Sequence, residues 1–217
     1  MRIRSFVCAS VIGFVGIAAA QAPAIPADLG LRGDRFKPLT TDQLTPEQKT
    51  MVRHLLSGER AGVNGPFNVL LRSPEMGDLA QQFGAQMRYH SSIPRKLNEF
   101  AIVITAYHWR AQYEWYAHHR DGLKYGLEAA VMDSLAAGKR PAPMDADEEI
   151  VYNFCNTLLN KGQVNDAVFN AAKAKFGERG IVDLIGTMGY YSMVSMLLNT
   201  DRYPMPDGVK PALKPMP

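Results

Sequence analysis

A glutamate and a histidine at helical spacing, Glu114 and His118, are the side chains in this sequence best suited to acid–base chemistry. Residues four positions apart lie on the same face of an α-helix, so the carboxylate and the imidazole can form a hydrogen bond. A carboxylate beside an imidazole orients the ring and sets its protonation state, as general acid–base catalysis requires. An ordinary ion pair on a helix surface has the same spacing, and both interpretations stay open at this point.

A second carboxylate, Glu99, directly precedes the stretch Phe100-Ala-Ile-Val-Ile-Thr-Ala106, which is apolar nearly all round. A helix of that composition is buried on most sides. A carboxylate on such a helix is costly unless it has a partner, and His118 is a natural partner. We therefore expect Glu99, Glu114 and His118 to meet in one sheltered pocket.

Metal binding is another use for histidine and carboxylate side chains at helical spacing. A strong motif such as His-Glu-x-x-His is absent from the chain, and the residue types alone are a weak signal. We predict neither a metal nor another cofactor.

Helices are predicted for all the elements that position these side chains, because apolar residues recur at helical spacing and no convincing alternating strand pattern is present. Thr45 and Ser73 each precede a proline and indicate helix starts, and the acidic run from Asp145 suits a helix N-terminus. The predicted helices are 45–58, 67–72, 73–89, 93–106, 109–125, 128–137, 145–159, 165–176 and 181–199. The predicted fold class is all-α.

The two ends of the chain are predicted to lie outside a helical domain of residues 45–200. Residues 1–20 carry Arg2 and Arg4, then an apolar run and small residues, which is the layout of a secretory signal peptide. Residues 21–44 are rich in proline and glycine and form either an arm that wraps a neighbouring subunit or a disordered leader. Residues 201–217 form a proline-rich tail.

Export follows from the signal peptide, and the predicted location is periplasmic or extracellular. The apolar run is too short to span a bilayer, which takes roughly 20 apolar residues, so no membrane anchor is predicted.

The net charge argues against a nucleic-acid-binding protein, and the cysteine content argues against a protein stabilised by disulfides. The chain has 24 basic and 21 acidic residues, and removal of Arg2 and Arg4 leaves a net charge of +1. That charge offers no electrostatic footprint for nucleic acid. Removal of Cys8 leaves Cys155 as a lone cysteine, which cannot form an intramolecular disulfide, so stability must come from packing.

The segment LNEFAIVITAYHWRAQYEWYAHHRDGLKYGL resembles the signature region of the carboxymuconolactone decarboxylase family, which also contains the alkylhydroperoxidase D proteins. Glu99 and His118 match the family's glutamate and histidine. The stretch Ile181–Leu184, with Gly189-Tyr190 and Leu198-Asn199, resembles its last core helix. The similarity covers about Leu70 to Asn199. It implies an all-helical domain that assembles as a homo-oligomer, either a trimer or a hexamer made from trimers.

The two branches of that family differ at a pair of cysteines. The peroxidase branch carries Cys-x-x-Cys, whose two positions are Ala111 and Glu114 here. The decarboxylase branch tends to carry a glutamate four residues before the histidine, as Glu114 does. Peroxide reduction needs an attacking thiolate and a resolving thiol, so the resemblance favours decarboxylation.

Decarboxylation requires a site that binds a carboxylate, releases carbon dioxide and delivers a proton to the carbon left behind. On this basis we assign His118 as the proton donor, Glu114 as its orienting partner and Glu99 as a second acid or hydrogen-bond anchor. Aromatic residues around the pair would exclude water, although packing in the core or at a subunit interface explains them equally well. An arginine would bind the substrate carboxylate through two hydrogen bonds. The candidates for substrate binding are Trp109, Arg110, Tyr113 and Trp115, with Arg95 and Arg120 as further arginines.

Three functions are consistent with these residues. The first is a cofactor-free lyase that decarboxylates a small lactone or an aromatic-derived acid. The second is an antioxidant of the alkylhydroperoxidase or peroxiredoxin kind, which the fold allows and the missing cysteines oppose. The third is a non-catalytic exported oligomer in which Glu114 and His118 are structural.

Overall fold

The computed structural model describes residues 23–60 and 62–215, and these are all-helical, with no strand. A short 3-10 helix at Thr41–Gln43 is followed by α1 (Pro46–Ser57), α2 (Phe67–Leu70), α3 (Pro74–Tyr89), α4 (Arg95–His108), α5 (Gln112–Lys124), α6 (Ala129–Ala136), α7 (Ala146–Lys161) and α8 (Asp166–Asp201). The all-α fold class predicted from the sequence is confirmed. The predicted signal peptide lies outside the described residues.

Two of the three predicted helix starts have the capping interactions that their sequence indicates. Thr45 accepts a hydrogen bond from the backbone N–H of Gln48, whose side chain accepts one from the Thr45 backbone in return. Asp145 and Glu148 form the same reciprocal pair at α7. These pairs satisfy backbone N–H groups that have no partner within the helix. Ser73 precedes α3 without a capping hydrogen bond from its side chain, so Pro74 alone carries that signal.

Helix α4 is the central element of the fold and packs against α5, α6, α7 and α8. Every residue from Leu97 to Ala106 is buried, as the apolar composition of this stretch predicts. Glu99 therefore lies on a helix that other helices surround, and its carboxylate is 0% exposed.

The connection between α4 and α5 is tighter than the sequence indicates. Trp109 still belongs to the end of α4, and Arg110 adopts a left-handed backbone conformation with φ of 51°. The Ala111 N–H donates to the carbonyl of Ala106 across this turn. Helix α5 consequently starts at Gln112 and not at the predicted Trp109, and the turn places its Glu114 and His118 against α4.

Helix α8 corresponds to the two predicted helices 165–176 and 181–199, which meet at a kink. The chain continues from Asp166 to Asp201, with one break at Gly177, where φ is 66°. Glycine adopts this conformation without a steric penalty, so the chain bends there without a loop. By length and composition α8 could cross a membrane, since its most apolar stretch has a mean hydropathy of 1.4. Half of that stretch is buried inside the fold, as in a core helix of a soluble protein.

The arm and the tail both pack on their own chain. Apolar side chains of the arm, Ile25, Leu29 and Leu31, contact the cluster formed by α1 and α2. In the tail, Leu213 is buried and its backbone exchanges two hydrogen bonds with the side chain of Gln112. Residues 202–215 are irregular, as the proline content predicts.

The buried carboxylate of Asp201, at the end of α8, fixes the arm. One oxygen of Asp201 accepts hydrogen bonds from the backbone N–H groups of Asp34, at 3.2 Å, and Phe36, at 2.8 Å. We expect Asp201→Ala to leave both donors without a partner and to lower the free energy of unfolding by about 1–3 kcal/mol in urea denaturation. The same change should speed proteolytic cleavage of the arm.

Asp207→Ala is the matched control, because Asp207 is fully exposed and contacts only Arg32 among the arm residues, at 3.4 Å. We expect it to leave the free energy of unfolding and the cleavage rate unchanged. Equal effects of the two substitutions would contradict the role assigned to Asp201.

Candidate active site

The imidazole of His118 lies between two carboxylates. Its Nδ1 is 2.5 Å from Oε2 of Glu99 on α4, and its Nε2 is 3.1 Å from Oε1 of Glu114 on α5. His118 is only 3% exposed and Glu114 only 4%. The structure therefore brings the three residues together, and the Glu114–His118 pair is buried rather than exposed on a helix surface.

Two arginines pair with carboxylates at or near this group. Arg95, one turn before Glu99 on α4, places Nη2 2.8 Å from Oε1 of Glu99. Arg88 binds Asp121 at 2.7 Å, and Arg95 also donates to the backbone carbonyl of Arg88. Arg95 was one candidate for the substrate carboxylate, but its guanidinium already neutralises a carboxylate of the protein itself.

The two carboxylates keep His118 protonated. Burial alone would lower the pKa of the imidazole, but the charges of Glu99 and Glu114, together with their hydrogen bonds, outweigh that effect and raise the pKa of His118 to about 9. At neutral pH the side chain is therefore an imidazolium that donates one N–H to each carboxylate. A buried proton held in this way is available to a ligand at the site.

A cavity of about 290 Å³ opens in front of His118 and Glu114. Both residues line it, whereas Glu99 lies behind the imidazole and does not reach the cavity. The remaining wall combines aromatic rings with arginine side chains; it includes Phe67, Tyr89, Tyr113, Tyr190, Tyr191, Arg60, Arg88 and Arg120. The cavity is at the lower end of the size range of small-molecule sites, and its wall carries several charged side chains among the aromatic rings.

Two adjacent tyrosines of α8 form the wall next to the imidazole. The ring of Tyr191 meets His118 edge to face at 4.9 Å, and Tyr190 meets Tyr191 in the same way at 5.1 Å. Burial raises the pKa of both phenols, so they stay neutral near the imidazolium. Gly84 on α3 makes room for Tyr190, since a Cβ at that position would lie 2.1 Å from its ring.

The structure separates the four residues that the sequence indicated for substrate binding. Tyr113 lines the His118 cavity, but Trp115 faces the core and a second cavity shared with His119. Trp115 follows Glu114 directly, and one residue turns an α-helix by about 100°, so the two side chains point in different directions.

Trp109 and Arg110 also lie outside the His118 cavity, which corrects the expected grouping. Both residues belong to the turn between α4 and α5 and line a separate depression beneath the tail. Arg110 stacks on Tyr107, with its guanidinium 3.8 Å from the ring centroid. Its left-handed backbone turns the side chain away from α5, which is the reason that Arg110 does not reach the cavity.

Two cavity residues were missed by the sequence reasoning. Arg60 lies in the loop between α1 and α2, where no periodic pattern indicates that it faces Tyr190. Tyr191 lies far from His118 in the sequence, and only the packing of α8 against α4 and α5 brings the two rings together.

One group of side chains has the donor atoms that a metal ion needs. The carboxylate oxygens and the imidazole nitrogen of this group lie within 4.8 Å of one another, and its members are Glu99, His118 and Asp121. The surrounding charges oppose this use, because guanidinium groups already contact Glu99 at 2.8 Å and Asp121 at 2.7 Å. A cation would have to share the carboxylates with two fixed positive charges. The group therefore suits an imidazolium better than a metal.

No protein-family model, no curated protein and no solved structure matches this chain.

The raised pKa of His118 makes a prediction about stability. A group whose pKa rises on folding, here from 6.5 to about 9, contributes its full stabilisation below pH 6.5 and loses it as the pH rises through 9. We expect the free energy of unfolding of the wild type to exceed that of His118→Asn by on the order of 3 kcal/mol near pH 6, with the excess shrinking towards pH 10. Urea denaturation at several pH values measures it.

The control is His54→Asn, because His54 is an exposed histidine that also contacts a carboxylate, that of Asp78 at 2.7 Å. Its free energy of unfolding should follow that of the wild type across the pH range. A wild-type excess over His118→Asn that stays constant from pH 6 to pH 10 would disagree with the buried imidazolium.

Proposed function

We propose that this protein is a cofactor-independent carboxy-lyase that decarboxylates a small lactone or an aromatic-derived acid, in the manner of carboxymuconolactone decarboxylases. One observation carries the proposal: an imidazole held between two carboxylates lines a cavity with aromatic and charged walls that is large enough for a small organic acid. The residues that do the chemistry are His118, Glu114 and Glu99.

The reaction follows from the position of the proton. The bond between the substrate carbon and its carboxylate breaks, carbon dioxide leaves, and the electron pair of the bond stays on the carbon. His118 and Glu114 both line the cavity, and Nε2 is the ring nitrogen next to Glu114, so we assign the Nε2 proton as the one that the imidazolium donates to that carbon as it becomes neutral. Solvent then returns one proton to the ring, which balances the cycle.

Glu99 and Glu114 have different roles because only one of them reaches the cavity. Glu114 lines the cavity and lies 3.1 Å from Nε2, so it orients the ring on the side from which His118 donates its proton. Glu99 is fully buried behind the ring, where it orients Nδ1 and stabilises the positive charge. Glu99 is therefore a positioning residue, and Arg95 in turn fixes its carboxylate.

The aromatic wall favours the loss of carbon dioxide. The rings of Phe67, Tyr113 and Tyr191 form an apolar part of the cavity wall. A carboxylate in such surroundings loses solvation, and its conversion to neutral carbon dioxide removes a localised charge.

The position of the remaining cysteine weakens the peroxidase alternative. Cys155 on α7 is fully buried in the core and does not line the His118 cavity. Burial raises the pKa of its thiol to about 12, which disfavours the thiolate that attacks a peroxide. A peroxide-consumption assay of Cys155→Ser tests this alternative.

The same proposal has three further parts: the protein belongs to the carboxymuconolactone decarboxylase family, it is exported through residues 1–20, and it assembles into a trimer or hexamer. The resemblance around Glu99 and His118 supports the family, and the leader composition supports a periplasmic or extracellular location without a membrane anchor. Exposed apolar side chains on α3 and α8, among them Leu79 and Val182, offer a surface for self-association. We propose no nucleic-acid partner.

Release of carbon dioxide from a panel of lactone acids and aromatic-derived acids tests the activity. We expect His118→Asn to lower kcat by about 10²- to 10⁴-fold, because the proton donor is lost. The control is His119→Asn, since His119 is the next residue and lines a different cavity. Equal activity of wild type and His118→Asn, with a lower melting temperature of the variant, would instead support the non-catalytic oligomer.

Glu99→Gln tests the positioning role through the pH profile. Removal of one of the two charges that raise the pKa of His118 should move the alkaline limb of kcat/KM from about pH 9 to lower pH. A uniform loss of activity at all pH values, without a shift of the limb, would contradict the role of Glu99.

A further inference from the structure

Three arginines line the cavity in front of His118, and they differ in whether a carboxylate of the protein pairs with their guanidinium. Arg88 is bound to Asp121 at 2.7 Å. Arg120 is largely exposed and lies 3.7 Å from Asp121. Arg60 makes no ion pair with a carboxylate of the described residues. The positive charge of Arg60 is therefore the one without a protein counter-ion.

The acid next to Arg60 in the sequence does not compensate it. Its carboxylate, that of Glu59, also lines the cavity but contacts the imidazole of His90 at 2.6 Å. Arg95 and His118 neutralise Glu99, and Glu114 faces His118. None of these acids contacts the guanidinium of Arg60, so Arg60 is a cation of the cavity wall that no carboxylate of the described residues pairs with.

The contacts of Arg60 leave its hydrogen-bonding capacity largely unused. Its Nη2 lies 3.4 Å from the hydroxyl of Tyr190, and its guanidinium lies over the ring of Phe67, 5.0 Å from the centroid. Its Nε is buried without a hydrogen-bond partner. A buried N–H donor without an acceptor is costly, and a ligand oxygen would remove that cost.

Tyr190 and Tyr191 connect this arginine to the proton donor. The hydroxyl of Tyr190 contacts Arg60, the rings of the two tyrosines meet at 5.1 Å, and Tyr191 meets His118 at 4.9 Å. The absence of a side chain at Gly84 makes room for Tyr190 in that row. The cavity thus has an acidic proton at one end, an unpaired guanidinium at the other, and aromatic rings between them.

We propose that Arg60 is the specificity-determining residue of this site and that it selects ligands by binding a carboxylate through its guanidinium. The inference rests on the proposed function for the location of the site, and it adds the residue that recognises the anion. The fork of N–H donors on a guanidinium matches the two oxygens of a carboxylate. The Arg60 contact forms in the ground state and mainly sets KM, whereas His118 sets kcat.

The test compares the affinities of the protein for benzoate and benzamide, two aromatic probes of the same shape that differ in charge. By isothermal titration calorimetry, we expect wild-type protein at pH 7.5 to bind benzoate more tightly than benzamide. Arg60→Met should weaken benzoate binding by about 10- to 100-fold and leave benzamide binding unchanged. Arg60→Lys keeps the charge without the planar fork and should retain part of the preference.

Arg120→Met is the matched control, because it removes a positive charge from the wall of the same cavity. We expect it to change benzoate binding by less than threefold, since Arg120 is largely exposed and its charge is screened. Thermal unfolding of each variant shows whether it is folded, and Arg60→Lys supplies the test if Arg60→Met is not.

Several results would overturn the inference. These are equal binding of benzoate and benzamide by the wild type, no benzoate binding at millimolar concentration, or a loss of the preference in Arg120→Met but not in Arg60→Met. Tighter binding of inorganic phosphate than of benzoate would overturn the choice of carboxylate. Because these measurements need no turnover, an Arg60-dependent preference would stand even if His118→Asn left the lyase activity unchanged.

Discussion

The structure depends on one interaction, a buried imidazolium between two carboxylates. A single carboxylate on α4 would be costly to bury, and so would a lone charged histidine on α5. Together, Glu99, His118 and Glu114 satisfy both ring nitrogens, and Arg95 pairs with the remaining oxygen of Glu99. The same contacts stabilise the packing of α4 on α5 and keep an acidic proton at the edge of a cavity.

The fold makes this arrangement possible through the position of α4 and the turn that follows it. Helix α4 is surrounded by other helices, so Glu99 has no access to water and must be neutralised by protein groups. The left-handed residue Arg110 returns the chain sharply, and α5 then lies with His118 against Glu99. Helix α8 closes the third side with Tyr190 and Tyr191. The chemistry of the cavity is therefore supplied by α4, α5, α8 and the loop after α1.

Sequence patterns predicted the parts of this account that depend on local spacing. Helical periodicity predicted the helices. The contact between Glu99, Glu114 and His118 was predicted from the apolar run after Glu99 and from the four-residue spacing of the other two. The spacing of Arg95 and Glu99 carried the same kind of signal for their ion pair. Contacts between distant segments have no such signal, which is why Arg60 and Tyr191 were missed and why Trp109 and Arg110 were expected in a pocket that they do not reach. The boundary predicted between helices 165–176 and 181–199 falls at the kink at Gly177.

The protonation state of His118 is the most direct test of the account. In ¹⁵N-histidine-labelled protein, NMR distinguishes protonated from bare ring nitrogens, and the spectrum of His118→Asn assigns the signal. The account predicts that both nitrogens of His118 carry protons at pH 7.5 and that the ring titrates near pH 9. A bare nitrogen at pH 7.5, with a titration midpoint near 6.5, would contradict it.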